Sequence, residues 1–132
     1  MPTGDRENKL VVRWQSPERV IYDTDDGIEV VVGGNEARRS LAHKVVEGLT
    51  GISERAIHLL VSFMRDSGTF ELGSVEVFSM KSDDGGDFLL RFSFAADRDV
   101  HEYGYTYFDV YFSHNEPPST EFWPFKFTVG FH

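Results

Sequence analysis

Two acidic segments have the residue types and spacing that are most similar to those of a metal-binding loop. They are residues 23–27 (Asp-Thr-Asp-Asp-Gly) and residues 82–87 (Ser-Asp-Asp-Gly-Gly-Asp). An EF-hand calcium loop needs glycine at its sixth position and a bidentate glutamate at its twelfth. Counted from Asp23, the glycines Gly27 and Gly34 stand at the fifth and twelfth positions instead. The Asp-Gly pair is typical of a hairpin turn, so the sequence predicts turns here and no metal site.

The remaining residues that could support catalysis form no recognisable motif. None of the five histidines makes an HxH or HExxH pattern, and the chain has no cysteine for thiolate chemistry or disulfides. Gly33-Gly34 lacks the lysine and the further glycines of a phosphate-binding loop. No GxSxG nucleophile elbow is present. The sequence therefore predicts no enzymatic activity and no cofactor.

A cluster of aromatic and charged residues in the last third of the chain is the strongest candidate site. If Phe108, Val110 and Phe112 point to the core of the fold, the alternate residues of the same strand point the other way. Tyrosine and tryptophan beside charges are typical of protein-binding surfaces. The charged and aromatic loop at residues 97–104 is a candidate specificity element. The candidate partner-binding residues are Tyr105, Tyr107, Asp109, Tyr111, Trp123, His101 and Tyr103.

An ordinary explanation of the same tyrosines stays open. Cross-strand aromatic pairs also stabilise a solvated sheet face without binding anything. Arg91 and Lys126, from the neighbouring strands, are expected beside the tyrosines under either interpretation.

Strands in which apolar and polar residues alternate with a period of two must position this surface. Large apolar residues of one parity recur along three runs, at Phe88, Leu90, Phe92 and Phe94, at Phe108, Val110 and Phe112, and at Phe125, Phe127, Val129 and Phe131. Side chains alternate faces along a strand, so each run predicts one apolar and one polar face. The predicted strands are residues 19–22, 28–32, 70–80, 88–95, 105–113 and 121–131, with a possible additional strand at residues 9–14.

Two helices are predicted between the early and the late strands. The first has Asn35 as its N-cap and extends to about Leu49. The second is predicted to begin after a cap at Ser53, with Gly51 as the stop of the first, and to bury Ile57, Leu60, Val61 and Met64. The expected fold is α+β, with an antiparallel sheet in the order β-β-α-α-β-β-β-β and a helical hairpin on its apolar face. Residues 1–8 are expected to be a flexible leader, and residues 9–132 a single domain.

Charge and hydropathy narrow the classes of partner. The 132-residue chain has 22 acidic and 13 basic residues and a net charge of −9. Phosphate backbones repel such a chain, which argues against nucleic acid, whereas a basic protein complements it. Acidity also serves solubility alone, so that explanation stays open. With no secretory h-region and no membrane-length apolar run, the sequence predicts a cytoplasmic protein that does not enter membranes.

The order of elements, together with the closing runs at residues 107–112 (YFDVYF) and 125–131 (FKFTVGF), resembles small uncharacterised bacterial domains. Some of those domains are counted among the immunity proteins of polymorphic toxin systems. The resemblance implies a cytoplasmic, non-catalytic protein that binds and blocks a toxin.

Three functional hypotheses follow. The first is a non-enzymatic protein-binding domain that occludes a basic partner. The second is a small-molecule binder or enzyme with a pocket between the sheet and the helices, in which His58 or His43 turns inward. The third is a structural domain that self-associates as a homodimer.

Overall fold

The structure is a computed structural model that describes residues 10–97, 106–114 and 122–131. The described residues contain seven strands and two helices. In chain order they are β1 (Val11–Gln15), β2 (Arg19–Asp23), β3 (Glu29–Gly33), α1 (Glu36–Glu47), α2 (Leu49–Val61), β4 (Gly68–Ser82), β5 (Gly86–Ala96), β6 (Thr106–His114) and β7 (Phe122–Phe131). The predicted α+β class is confirmed, and β1 is the additional N-terminal strand.

All seven strands form one sheet, in the same order as along the chain. Each neighbouring pair is antiparallel except β3 and β4, which are parallel. Both helices lie between these two strands in the chain, and a parallel pair requires a crossover connection of this kind. The sheet is therefore mostly antiparallel, and the expectation of wholly antiparallel pairing is wrong at this one junction.

The core lies on one face of the sheet. Strand register aligns apolar residues across it, so Val30 lies opposite Val75 and Leu90 lies opposite Val110. The rings of Phe88 and Phe112 stack with centroids 5.0 Å apart. Buried side chains of both helices, including Val45 and Leu60, belong to the same cluster. The predicted apolar face of β5 and β6 is confirmed by this packing.

Strand β7 keeps its predicted apolar face at Phe127 and Val129, which pair with Val110 and Phe108, but not at Phe125. A register shift where β6 pairs with β7 places Tyr111 opposite Lys126 and Phe112 opposite Pro124, so Phe125 has no direct partner. Phe125 and Val129 are exposed, whereas Phe127 packs against the core. The bulge and the position of β7 at the edge of the sheet explain the difference.

The junction of the two helices also differs from expectation. Asn35 caps α1 as predicted, and its side chain accepts hydrogen bonds from the backbone N–H groups of residues 37 and 38. Only Gly48 separates the helices, and the backbone N–H of Ile52 donates to its carbonyl. The predicted cap at Ser53 and stop at Gly51 are therefore wrong, since both residues lie inside α2.

The buried stripe of α2 also differs from the predicted one. The buried residues of α2 are Leu49, Ile52, Ala56 and Leu60. Val61, predicted to be buried, is exposed. Among the described residues, neither helix is long and apolar enough to cross a membrane.

The two acidic segments form turns. Between β2 and β3, the backbone N–H of Gly27 donates to the Thr24 carbonyl, and that of Ile28 donates to the Thr24 hydroxyl. Gly27 and Gly86 both adopt positive φ, at 81° and 68°, which glycine permits without steric cost. Within the described ranges, no group of three acidic or histidine side chains could hold a metal ion.

Candidate functional site

The face of the sheet opposite the core is the candidate site, and we call it the open face. Residues paired across adjacent strands lie on the same face, so the register defines its members. One row is Trp14, Ile21, Val31, Glu76, Leu89, Tyr111 and Lys126. A second row is Asp23, Glu29, Ser74, Arg91, Asp109 and Thr128, and a third is Glu71, Ser93, Tyr107 and Gly130.

An ion pair between β5 and β6 lies at the centre of the open face. Arg91 donates from Nε to Asp109 Oδ1 at 2.7 Å and from Nη2 to Asp109 Oδ2 at 2.8 Å. This two-point geometry is the strong form of a guanidinium–carboxylate contact. The hydrogen bond to Asp109 raises the pKa of Arg91 above its ordinary value, against the opposing effect of burial. Arg91 therefore stays charged at any physiological pH.

The same guanidinium also contacts Tyr107. It lies 4.3 Å from the centroid of the Tyr107 ring, within the range of a cation–π interaction. The ring packs so closely on Gly130 that a Cβ at that position would overlap it. Tyr107 is therefore enclosed by Arg91 and by the backbone of β7, which restricts its rotamers.

Tyr111 is positioned in a similar way. The ammonium group of Lys126 lies 4.5 Å from the centroid of its ring, and the ring of Phe78 stacks on it at 6.3 Å. Leu89, which is next to Tyr111 in the same row, is only 5% exposed although it lies outside the core cluster. Side chains of the open face thus pack on one another and form an ordered surface.

The half of the open face near β1 carries charged side chains beside an exposed tryptophan. Arg13 pairs with Asp23 at 3.0 Å and with Glu29. Trp14 is 47% exposed, and the guanidinium of Arg19 lies 5.7 Å from the centroid of its ring. A groove of about 530 Å³ opens beside this tryptophan.

The structure brings some of the predicted site residues together. Tyr107 and Tyr111 are partly exposed on the open face, and Trp123 pairs with Ser113 at the start of β7. Asp109 lies on the same face but is only 5% exposed, so it positions Arg91 and offers little surface to a partner. The other predicted residues, Tyr105, His101 and Tyr103, lie outside the described residues.

Sequence reasoning missed Trp14, Phe78 and Glu76 as members of this face. Trp14 is in a short strand that precedes the main alternating runs, and Arg13 interrupts its register with β2. Phe78 follows a register shift in β4, beyond Val77. Strand pairing, which is not visible in the sequence, places Trp14 and Glu76 in the same row as Tyr111 and brings Phe78 against the Tyr111 ring.

Large phenylalanines such as Phe88, Phe92 and Phe112 are fully buried in the described core between the sheet and the helices. A cavity of about 270 Å³ lies where the end of α2 meets β4 and β5, and its lining includes Val61, Met64, Phe70 and Phe94. A second cavity, of about 590 Å³, lies between α2 and Pro124 at the start of β7. His58, Glu54 and Arg55 line it. His43 makes an edge-on contact with Tyr22 at 5.9 Å between ring centroids.

Comparison with known proteins gave no significant match to a family model, to a curated protein or to a solved structure.

Proposed function

We propose that this chain is a non-enzymatic domain that binds a basic protein through the open face of its sheet. The observation that supports it best is the restricted position of Tyr107 and Tyr111, which are partly exposed yet each packed under a cation. Aromatic side chains that are ordered before binding lose little entropy in a complex. Both helices bury apolar side chains in the core on the other face, so they leave this surface available.

The charge of the chain supports a basic partner. The net charge is −9, and Glu71 and Glu76 are exposed on the open face. The cations of this face are already close to anionic or aromatic groups, as for Arg91 with Asp109 and Lys126 with Tyr111. An approaching basic surface is therefore attracted by the overall field, and this raises its association rate at low salt.

The proposed mechanism is steric occlusion. A bound partner has one of its own surfaces covered by the sheet, and no chemical step is needed. The resemblance to immunity proteins of polymorphic toxin systems agrees with such a role in the cytoplasm, with a toxin as the partner that is blocked.

Photocrosslinking from defined positions tests the proposal. A photoreactive amino acid replaces Ser93 or Thr128, which are exposed on the open face, or Glu47 or Lys44, which are exposed on α1. We expect a basic protein from the native cell lysate to be crosslinked at the first two positions only. The yield should fall as salt is raised from low to moderate concentration.

The same experiment can contradict the proposal. Equal crosslinking from α1 and from the open face, or none at any salt concentration with the fold intact by circular dichroism, overturns it. Adducts of the chain with itself, together with a dimer in sedimentation, would instead indicate the self-associating domain.

A small-molecule site is the second candidate function, and the cavity of about 590 Å³ beside α2 supports it. His58, Glu54 and Arg55 supply polar groups there, as a ligand site requires. A ligand screen by thermal shift, repeated with His58→Ala, tests it. We expect a ligand of this cavity to lose its stabilising effect in the variant.

A further inference from the structure

The groove on the open face beside Trp14 has a defined chemical character. Its lining includes Trp14 from β1, Val31 from β3, and Glu76 and Phe78 from β4. Because β3 lies between β1 and β4 in the sheet, Trp14 and Phe78 lie on opposite sides of Val31. Glu18 from the β1–β2 turn also contributes to the lining. Two aromatic side chains and two glutamates thus line one opening of about 530 Å³.

These groups fit a guanidinium better than other ligands. A guanidinium is planar, stacks on aromatic rings and donates two parallel hydrogen bonds to a carboxylate, whereas an ammonium group is a more strongly hydrated point charge. Arg19, from the chain itself, already places its guanidinium 5.7 Å from the Trp14 ring. The lining contains two glutamates and one cation, Arg19, and Glu76 is also within electrostatic reach of Arg91.

We propose that this groove binds an arginine side chain of the basic partner, between Trp14 and the carboxylates of Glu18 and Glu76. The inference rests on the proposed function, because it names the partner group that enters the open face. An anionic ligand held by Arg19 is the opposite possibility. The test separates the two because each charge substitution should change the affinity for the two ligands in opposite directions.

The test uses Nα-acetyl-arginine amide as the probe, with the citrulline analogue as a neutral control of nearly the same shape. Binding is followed by ¹H–¹⁵N correlation spectra of the whole chain. We expect the indole N–H of Trp14 and the backbone amides of Val31 and Glu76 to shift with the arginine probe. The citrulline analogue should cause much smaller shifts at the same concentration.

Three variants measure the contribution of charge. Glu76→Gln removes a groove carboxylate and should weaken binding of the arginine probe by about two- to five-fold. Arg19→Gln removes the competing cation and should strengthen it by a similar factor. Glu71→Gln is the matched control, because Glu71 is exposed on the same face but does not line the groove, and it should change little.

The outcomes distinguish this inference from the proposed function. Equal shifts with citrulline, the absence of shifts at Trp14, or weaker binding in Arg19→Gln overturns the groove as an arginine site. If those results occur while the open face still crosslinks a basic protein, only the inference is wrong. If the arginine probe binds as expected but no protein is crosslinked, the groove is an arginine site and the proposed function is wrong.

Discussion

The ring of Tyr107 lies directly on Gly130, the residue opposite it in the neighbouring strand. A side chain at position 130 would occupy the same space as the ring, so glycine is what allows the tyrosine to lie flat on β7. Arg91 then contacts the ring at 4.3 Å from its centroid. One glycine on an edge strand thus helps to order the arginine and the tyrosine at the centre of the open face.

Gly130→Ala tests this arrangement. The added methyl group must displace the Tyr107 ring, and we expect a loss of about 1–3 kcal/mol in the free energy of unfolding, the usual cost of overpacking. Urea unfolding measures the loss, and near-ultraviolet circular dichroism reports the changed tyrosine environment. Gly73→Ala is the control, because a Cβ there would meet its nearest neighbour, the Arg91 carbonyl oxygen, at 3.9 Å. Equal stability of the two variants would show that Tyr107 does not rest on Gly130.

Phe92→Ala compares the two faces of the sheet. Phe92 is 1% exposed, and its ring contacts that of Phe70 at 6.3 Å between centroids. We expect the substitution to cost about 3–5 kcal/mol, from lost burial and from the cavity left behind. Tyr111→Ala on the open face should cost clearly less but should reduce crosslinking to the partner. If Tyr111→Ala unfolds the chain and Phe92→Ala is tolerated, the two faces have been assigned the wrong way round.

Local patterns were sufficient to predict the strands and the class of fold. The alternating phenylalanines of β5 and β6 have a period of two residues, and each buried parity follows from it. Asn35 marks the start of α1 because its side chain accepts backbone hydrogen bonds there. Such features depend on residues close together in the chain, so the sequence displays them directly.

The errors concern interactions between distant residues. Ser53 and Gly51 have the local features of a cap and a stop, yet packing of Leu49 and Ile52 in the core extends α2 through both positions. The parallel pairing of β3 with β4 and the bulge near Phe125 are properties of strand register. Local propensity does not specify register, since a shift by one residue reverses every side chain.

For the candidate site too, the sequence predicted relations within one strand but not relations between strands. The sequence correctly predicted that Tyr107, Asp109 and Tyr111 share a face, because they lie in one strand. It did not predict that Asp109 is buried by a two-point contact with Arg91, nor that Trp14 is in the same row as Tyr111. Those relations require the order of all seven strands.

Replacing Arg91 by lysine tests the two-point contact. Arg91→Lys keeps the charge but cannot make both hydrogen bonds to Asp109, and we expect a loss of about 1–2 kcal/mol, limited by the partial exposure of the guanidinium. A double-mutant cycle with Asp109→Asn measures the coupling of the pair by urea unfolding. Arg65→Lys, at an exposed position after α2, should change stability by less than about 0.5 kcal/mol. Additive effects of the two substitutions at 91 and 109 would contradict a coupled pair.

An ion pair between Arg38 and Asp87 connects α1 to the sheet. Arg38 donates from Nε to the Phe78 carbonyl at 2.7 Å, from Nη2 to the Asp87 carbonyl at 3.0 Å, and from Nη1 to Asp87 Oδ1 at 3.2 Å. Asp87 is only 1% exposed, and the ammonium group of Lys81 lies 3.7 Å from its other oxygen. The arginine thus satisfies two backbone carbonyls and a buried carboxylate at the turn between β4 and β5.

Arg38→Met retains the apolar stem of the side chain but leaves this carboxylate with Lys81 as its nearby cation. Breaking a buried pair by removing one partner is strongly destabilising, and we expect a loss of about 3 kcal/mol in the free energy of unfolding. Lys44→Met, at an exposed position on the same helix, controls for the loss of a charge and should cost little. Adding Asp87→Asn to Arg38→Met should recover part of the loss, because it removes the buried charge that has lost its contact with Arg38. If the double variant is no more stable than Arg38→Met, the two backbone carbonyls rather than the carboxylate account for the role of Arg38.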